Sequence, residues 1–201
     1  MMLESTFNYP LTGYTSGWHE PGLFNDFDCD AIIRAGHQFP FQEATIYNDS
    51  PGHKEDSVRR SRISPICNTP DNAWIYNAWI YERLEGIAHR ANSNKAWNFS
   101  ITGFELIQFS EYKAEYLGAF KEHLDILETS QNRARKISIC VQLSRPEDYE
   151  GGELSLFNRD AVPKNRGHAV AFTSFYPHSV SPVTKGTRYS LVAWAVGPKF
   201  V

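Results

Sequence analysis

The chain has 201 residues, 41% of them hydrophobic and 21% charged, and a formal net charge of −3. That is enough for one domain, residues 1–201, with a real core, and the slight acidity argues against bulk electrostatic binding of nucleic acid. The opening MMLESTFNYPLTGY has neither a basic region nor an apolar core, and no apolar run nears the roughly 18 residues of a membrane span.

A cytoplasmic protein without membrane contact is therefore expected. The three cysteines, Cys29, Cys67 and Cys140, are far apart and form no CxxC, which predicts free, buried thiols in a reducing compartment. In chain order, Asn25 or Asp26 can cap a helix running to about His37. EATIYN (43–48) and SRISPI (61–66) read as short strands, and the polar NDSPGHKEDSVRR (48–60) between them reads as an exposed loop. Asp71 can cap a longer helix through about Ala91. Its residues Ile80, Leu84, Ile87, Ala88 and Ala91 form one apolar stripe, so Trp74 and Trp79 are expected to pack this helix on a sheet.

From residue 99 onward short strand-like runs follow one another: FSITGFELIQFSEY, the KEHLDI region, RKISICVQLS, GGELSLF, GHAVAFTS, HSVSPV and TRYSLVAWAV. Turn residues such as Gly151-Gly152 and Lys185-Gly186 separate them, a pattern of sandwiches, jelly rolls and barrels. RKISICVQLS alternates, with Ile137, Ile139, Val141 and Leu143 on one face and Ser138, Cys140, Gln142 and Ser144 on the other. A strand with a small, mildly polar inner face suits a barrel that holds a ligand. The expected class is mainly β with amino-terminal helices, residues 1–98 buttressing a β core of residues 99–201.

His123 and Asp125 stand one residue apart in KEHLDI, on one face if the segment is a strand. Alone, such a pair is weak evidence, and a solvent-exposed pair at a strand end explains it as well. Context strengthens it. His178 follows 53 residues after Asp125 in FYPHSVSPV, and two histidines with one carboxylate make a facial triad for Fe(II) with three positions left open. Arg188 comes ten residues later, and a guanidinium inside a barrel needs an anionic partner that fits its fork. Together they describe a slot for 2-oxoglutarate, its 1-carboxylate and keto oxygen on iron and its 5-carboxylate on Arg188.

These motifs, with EGGEL (150–154) between them and SVRRSRIS before them, resemble the prolyl 4-hydroxylase-type branch of Fe(II)/2-oxoglutarate dioxygenases, bacterial and viral members above all. The resemblance covers nearly the whole chain and implies a double-stranded β-helix, a jelly roll. It implies His123, Asp125 and His178 as iron ligands and Arg188 as the 2-oxoglutarate anchor. Gln142, Tyr112, Ser190 of the RxS motif and Trp194 fall where relatives place residues around the cosubstrate or substrate, although Trp194 fits barrel core equally well. Phe120 departs from the pattern: many relatives have Tyr three residues before the first histidine, so one hydroxyl is lost.

The chemistry implied is hydroxylation of an unactivated C–H by O2 and 2-oxoglutarate, releasing succinate and CO2, with ascorbate as accessory reductant. Peptidyl proline is the first expected substrate, with loops 48–60 and 126–134 clasping a peptide or protein partner. A free amino acid or other small molecule is the alternative, since this fold changes substrate by loop variation. Nucleobase demethylation is disfavoured by the acidity and by Trp194 standing where a second arginine would be. The rival of another class is a non-catalytic metal-binding jelly roll. His19, His37, His53, His89 and His168 have no partner at ligand spacing and are expected in surface or structural roles, and Cys140 as a packing residue.

Overall fold

A computed structural model of the chain describes residues 17–44, 58–66, 73–128, 133–156 and 160–200. Two α-helices and fourteen strands occupy them. The amino-terminal part carries β1 (Trp18–Glu20), α1 (Asp26–Gly36), β2 (Gln42–Glu43), β3 (Arg59–Arg60), β4 (Arg62–Ile66) and α2 (Ala73–Asn94). Then come β5 (Gly103–Phe104), β6 (Ile107–Lys113), β7 (Ala119–His123), β8 (Arg133–Gln142), β9 (Tyr149–Gly151) and β10 (Leu154–Leu156). The last are β11 (Asp160–Ala161), β12 (Ala169–Thr173), β13 (His178–Val180) and β14 (Val183–Pro198).

The start of α1 is fixed by Asn25, whose side chain accepts from the Asp28 N–H while the Asp28 carboxylate accepts from the Asn25 N–H. Two otherwise unpaired donors are satisfied reciprocally. On α2 the predicted stripe is real: Ile80, Leu84, Ile87, Ala88 and Ala91 are all fully buried. They join Ile137, Ile139 and Val141 of β8 and Leu191, Ala193 and Ala195 of β14 in the main core. Trp79 packs edge-on against Phe24 with the Arg83 guanidinium over both rings, as core burial predicts. Asp71 and Cys67, the Trp74 side chain, and residues 45–57 lie outside the described residues.

The strands form two antiparallel sheets. The larger runs β1-β12-β8-β14-β6-β4-β2, with β5 and β9 also pairing to β14; the smaller runs β11-β10-β13-β7-β3. This double-sheet, mainly β architecture with two helices is the jelly roll expected. The alternation of β8 sorts as read: its isoleucines and Val141 face the helix side, while Ser138 bonds Asp125 and Cys140 lines an internal cavity.

Two expectations need correction. The stretch 48–60 is not loop throughout, because Arg59 and Arg60 form β3 and pair with Phe120 and Ala119 of β7. A two-residue rung has no hydrophobic period to reveal it. The HxD pair does not sit within one strand either. His123 closes β7, and Asp125 follows it, held by a bond from its own N–H to the Ser174 carbonyl.

Candidate active site

The smaller sheet brings the three candidate ligands together. In the antiparallel pairing of β7 with β13, His123 lies opposite His178, and their ring centroids are 4.1 Å apart. Asp125 reaches both: Oδ1 is 3.7 Å from His123 Nε2 and Oδ2 is 3.3 Å from His178 Nε2. One ligand atom of each residue lies within 4.8 Å of the others. Cross-strand pairing thus supplies what 53 residues of sequence separate.

The other nitrogen of each ring is already committed. His123 Nδ1 is 2.8 Å from the Lys121 carbonyl oxygen and His178 Nδ1 is 3.0 Å from that of Tyr176. A carbonyl only accepts, so Nδ1 carries the hydrogen in both rings and Nε2 is the atom available to a metal. Asp125 is positioned from behind: Ser138 Oγ donates to its Oδ2 at 2.7 Å, and Ser138 and Ser174 hydroxyls are 3.0 Å apart.

The electrostatics follow from this packing. Burial pushes the Asp125 carboxyl up, but the His178 bond and charge, His123 and Ser138 outweigh it and hold it below the usual carboxylate range. Burial and the neighbouring His178 push His123 down to about 4. Burial also opposes charge on His178, yet its bond to Asp125 raises it above the ordinary histidine value. Two imidazoles and one ionised carboxylate, their donor atoms convergent once His178 gives up its Nε2 proton, fit a divalent first-row metal of the Fe(II) type.

Arg188 lies deep in the same cavity, only 1% exposed, and forms no ion pair with a described carboxylate. One terminal nitrogen donates to Gln142 Oε1 at 2.9 Å, the other lies 3.3 Å from Ser190 Oγ, and the Tyr112 ring is 5.3 Å from the guanidinium. Arg188 Nε, Gln142 Nε2 and Trp194 Nε1 are buried without a hydrogen-bond partner among the described residues. A buried arginine whose neighbours are neutral and whose nearby donors are unsatisfied is a cradle for an anion. Gly152 makes room for it: φ is +60°, and a Cβ there would lie 2.9 Å from Arg188 Cδ. That gives the EGGEL stretch a physical role.

All eight residues singled out from the sequence therefore converge. His123, Asp125, His178, Arg188, Tyr112, Ser190 and Trp194 line a cavity of about 290 Å³, and Gln142 braces Arg188 from beside it. Trp194 is both wall and packing: the Arg135 guanidinium stacks on it at 3.8 Å while binding Glu105 through three short contacts. Phe120 stacks face to face on His123, centroids 3.4 Å apart, and carries the Arg59 guanidinium 4.5 Å above its ring.

Sequence reasoning missed Ser138, Ser174 and Arg59. Ser138 was legible in the alternation of β8, on the same face as Cys140 and Gln142; Ser174 and Arg59 carried no periodic signal. Cys140 lines the cavity, but burial and the nearby Asp125 charge push its thiol up to about 12, so it is no thiolate ligand. Outside the cavity, His19 contacts His168 at 3.0 Å, His37 packs among Phe41, Phe109 and Tyr189, and His89 is beside Glu85. His53 and residues 129–132 of the 126–134 segment lie outside the described residues, and no described helix is long and apolar enough to cross a membrane.

Residues 107–196 match the family model of the 2OG-Fe(II) oxygenase superfamily. Among curated proteins, a PKHD-type hydroxylase of Paracoccus denitrificans is 40% identical over 70 residues, 33% of this chain and 31% of the relative. One from Teredinibacter turnerae is 36% identical over 84 residues, 38% and 37% of the two chains. The matched stretch thus spans about a third of the length of these relatives.

Among solved structures, a prolyl hydroxylase of Trichoplax adhaerens, in complex with a hypoxia inducible factor oxygen degradation domain peptide fragment, superposes with a TM-score of 0.70 at 14% identity, covering 90% and 83% of the chains. The viral collagen prolyl hydroxylase of Paramecium Bursaria Chlorella virus-1 gives 0.64 at 16%, covering 92% and 97%. A Pseudomonas putida prolyl-4-hydroxylase gives 0.62 at 20%, covering 90% and 92%. At such identities the structures speak for the fold. The resemblance to prolyl 4-hydroxylase-like 2-oxoglutarate oxygenases read from the motifs is borne out.

Proposed function

We propose, from the 2OG-Fe(II) oxygenase superfamily that residues 107–196 match, that this chain is an Fe(II)- and 2-oxoglutarate-dependent dioxygenase hydroxylating an unactivated C–H bond. The observation that carries it is the pairing, in one cavity, of a His-Asp-His cluster with a buried guanidinium that has no carboxylate partner among the described residues. A binding module would need only one of the two.

In this reading His123 and His178 hold the metal through Nε2 and Asp125 through a carboxylate oxygen. When bound, Fe(II), 2-oxoglutarate and O2 supply the oxidation: one oxygen atom enters the substrate as hydroxyl, the other ends in succinate, and CO2 leaves. The carbonyls of Lys121 and Tyr176 fix the ring tautomers, and Ser138 fixes the carboxylate. Arg188 receives the 5-carboxylate, with Gln142 and Ser190 orienting its fork. Tyr112, Phe120 and Trp194 wall the cavity against water, which strengthens each of these contacts.

The proposed substrate is a prolyl unit in a peptide or protein, supported by the prolyl hydroxylases among the solved structures that share the fold; a free amino acid is the second reading, favoured by the Arg59 cation in the cavity. Ascorbate as reductant and a cytoplasmic location, consistent with the free thiols of Cys29 and Cys140, belong to the same proposal. Anaerobic titration with Fe(II) and 2-oxoglutarate tests the class: a weak visible charge-transfer band is expected, absent in Asp125→Ala. A folded protein that shows no such band and makes no succinate in air is not a dioxygenase. A proline-rich peptide library screened for a +16 mass shift tests the substrate.

A further inference from the structure

Three arginines line the cavity, and they differ in what they meet. Arg135 is neutralised by Glu105. Arg188 is the proposed cosubstrate anchor. Arg59 is the third, set by β3 directly opposite Phe120 of β7. Its Nε donates to Ser61 Oγ at 2.8 Å and its guanidinium lies over the Phe120 ring, leaving both terminal nitrogens without a carboxylate among the described residues.

The position is close to the chemistry. Phe120 stacks on His123, so guanidinium, phenyl ring and ligand imidazole touch in series. Burial lowers the affinity of Arg59 for its proton, and Tyr112 and Asp125 act against that. An arginine nevertheless stays charged in proteins. If the proposed function holds, a divalent metal, Asp125, a doubly charged 2-oxo diacid and Arg188 neutralise one another. Among the described residues Arg59 is then one positive charge in excess, in a half-buried site where an unpaired ion is costly. Its planar fork matches a carboxylate.

We infer that Arg59 binds a carboxylate of the primary substrate, so that the substrate class is an acid whose target carbon lies near a free carboxylate: an amino or imino acid, or a peptide that presents a C-terminal or side-chain carboxylate there. This inference rests on the dioxygenase reading. It narrows that reading from any prolyl peptide to an anionic one, and it assigns specificity to β3 and β7 as well as to the loops.

The test uses matched probes on the intact protein: each free amino acid against its N-acetyl amide, and prolyl peptides with a free or amidated terminus and with or without an adjacent Asp or Glu. Substrate-stimulated succinate is one readout. Binding to the Mn(II)- and 2-oxoglutarate-loaded protein, followed by paramagnetic broadening of the probe's NMR signals, is the other. Wild type should favour carboxylate forms by roughly 10- to 150-fold, the size of one charge-assisted hydrogen bond. Arg59→Gln should lose that preference and Arg59→Lys keep part of it, both with unchanged 2-oxoglutarate affinity. The free and peptide arms tell the two carboxylate sources apart. Equal response to acid and amide, no carboxylate probe bound at all, or a parallel fall in 2-oxoglutarate affinity overturns the inference. Failure of 2-oxoglutarate itself to bind or turn over overturns the dioxygenase reading instead.

Discussion

Replacing Arg188 by lysine separates charge from geometry at the proposed cosubstrate anchor. The side chain is buried, with one terminal nitrogen fixed by Gln142 at 2.9 Å, the other near Ser190 at 3.3 Å, and Nε unpartnered. A carboxylate arriving from the cavity can take two parallel bonds from such a fork; an ammonium has three diverging donors and cannot present two in parallel. One charge-assisted bond is worth about 1.5–3 kcal/mol, so Arg188→Lys should weaken 2-oxoglutarate binding by roughly 10- to 150-fold. Arg188→Ala should do worse, because the carboxylate is then buried with no counter-charge. Isothermal titration with Mn(II) in place of iron reads the affinity without turnover, and Mn(II) affinity itself serves as the control because Arg188 makes no ligand contact. A 2-oxo acid without the distal carboxylate should bind the alanine variant no worse than wild type. Unchanged 2-oxoglutarate affinity in two folded variants would make Arg188 a structural residue and place the anchor elsewhere.

Ser138→Ala removes the 2.7 Å bond to Asp125 and should weaken Mn(II) binding about 10- to 100-fold; an unaltered affinity would mean that Ser174 and the backbone suffice to hold the carboxylate. Gly152→Ala forces a side chain into positive φ, at about 1–2 kcal/mol, and crowds the Arg188 stem, so both thermal stability and 2-oxoglutarate affinity should fall while Mn(II) affinity holds. In the metal-free protein His178 has its proton affinity raised by Asp125, whereas His123 is depressed to about 4. Metal binding near pH 6.5 should therefore release protons, taken from His178 and not from His123. Affinity should rise with pH until His178 deprotonates and then level off. Titrations in buffers of different ionisation heat measure this, and zero release at pH 6.5 contradicts the assignment.

What the sequence revealed here was periodic or chemical. The stripe Ile80–Ala91 and the alternation of β8 were readable because burial repeats at the spacing of the backbone. His123, Asp125, His178 and Arg188 were readable because few combinations of side chains suit the proposed chemistry in that order. What escaped depends on distant pairing. β3 has two residues, both arginines, and becomes a strand only because β7 offers it an edge. That pairing carries Arg59 into the cavity, which no local pattern announces. Asp125 shares a site with His123 through the turn holding Ser174, whose carbonyl fixes the aspartate backbone, and not through a continuous strand. Phe120, noted only as a missing hydroxyl, turned out to be the surface on which His123 and Arg59 rest.

The smaller sheet is thin. Apart from β7 its strands have two or three residues, and the pairing of β13 with β7 is irregular between His178 and Val180. A ladder so short has few rungs to resist opening, whereas β14 of the larger sheet runs for sixteen residues. The proposed ligand set bridges β7 to β13, so an ion held there would fasten the two strands together. By mass action an ion at a hundredfold excess over its dissociation constant adds about 2.7 kcal/mol to the folded state, and that gain falls on the face that needs it. Without the ion, the wall carrying His123 and His178 would be held by these short ladders alone, while β14 keeps its long pairing in the larger sheet.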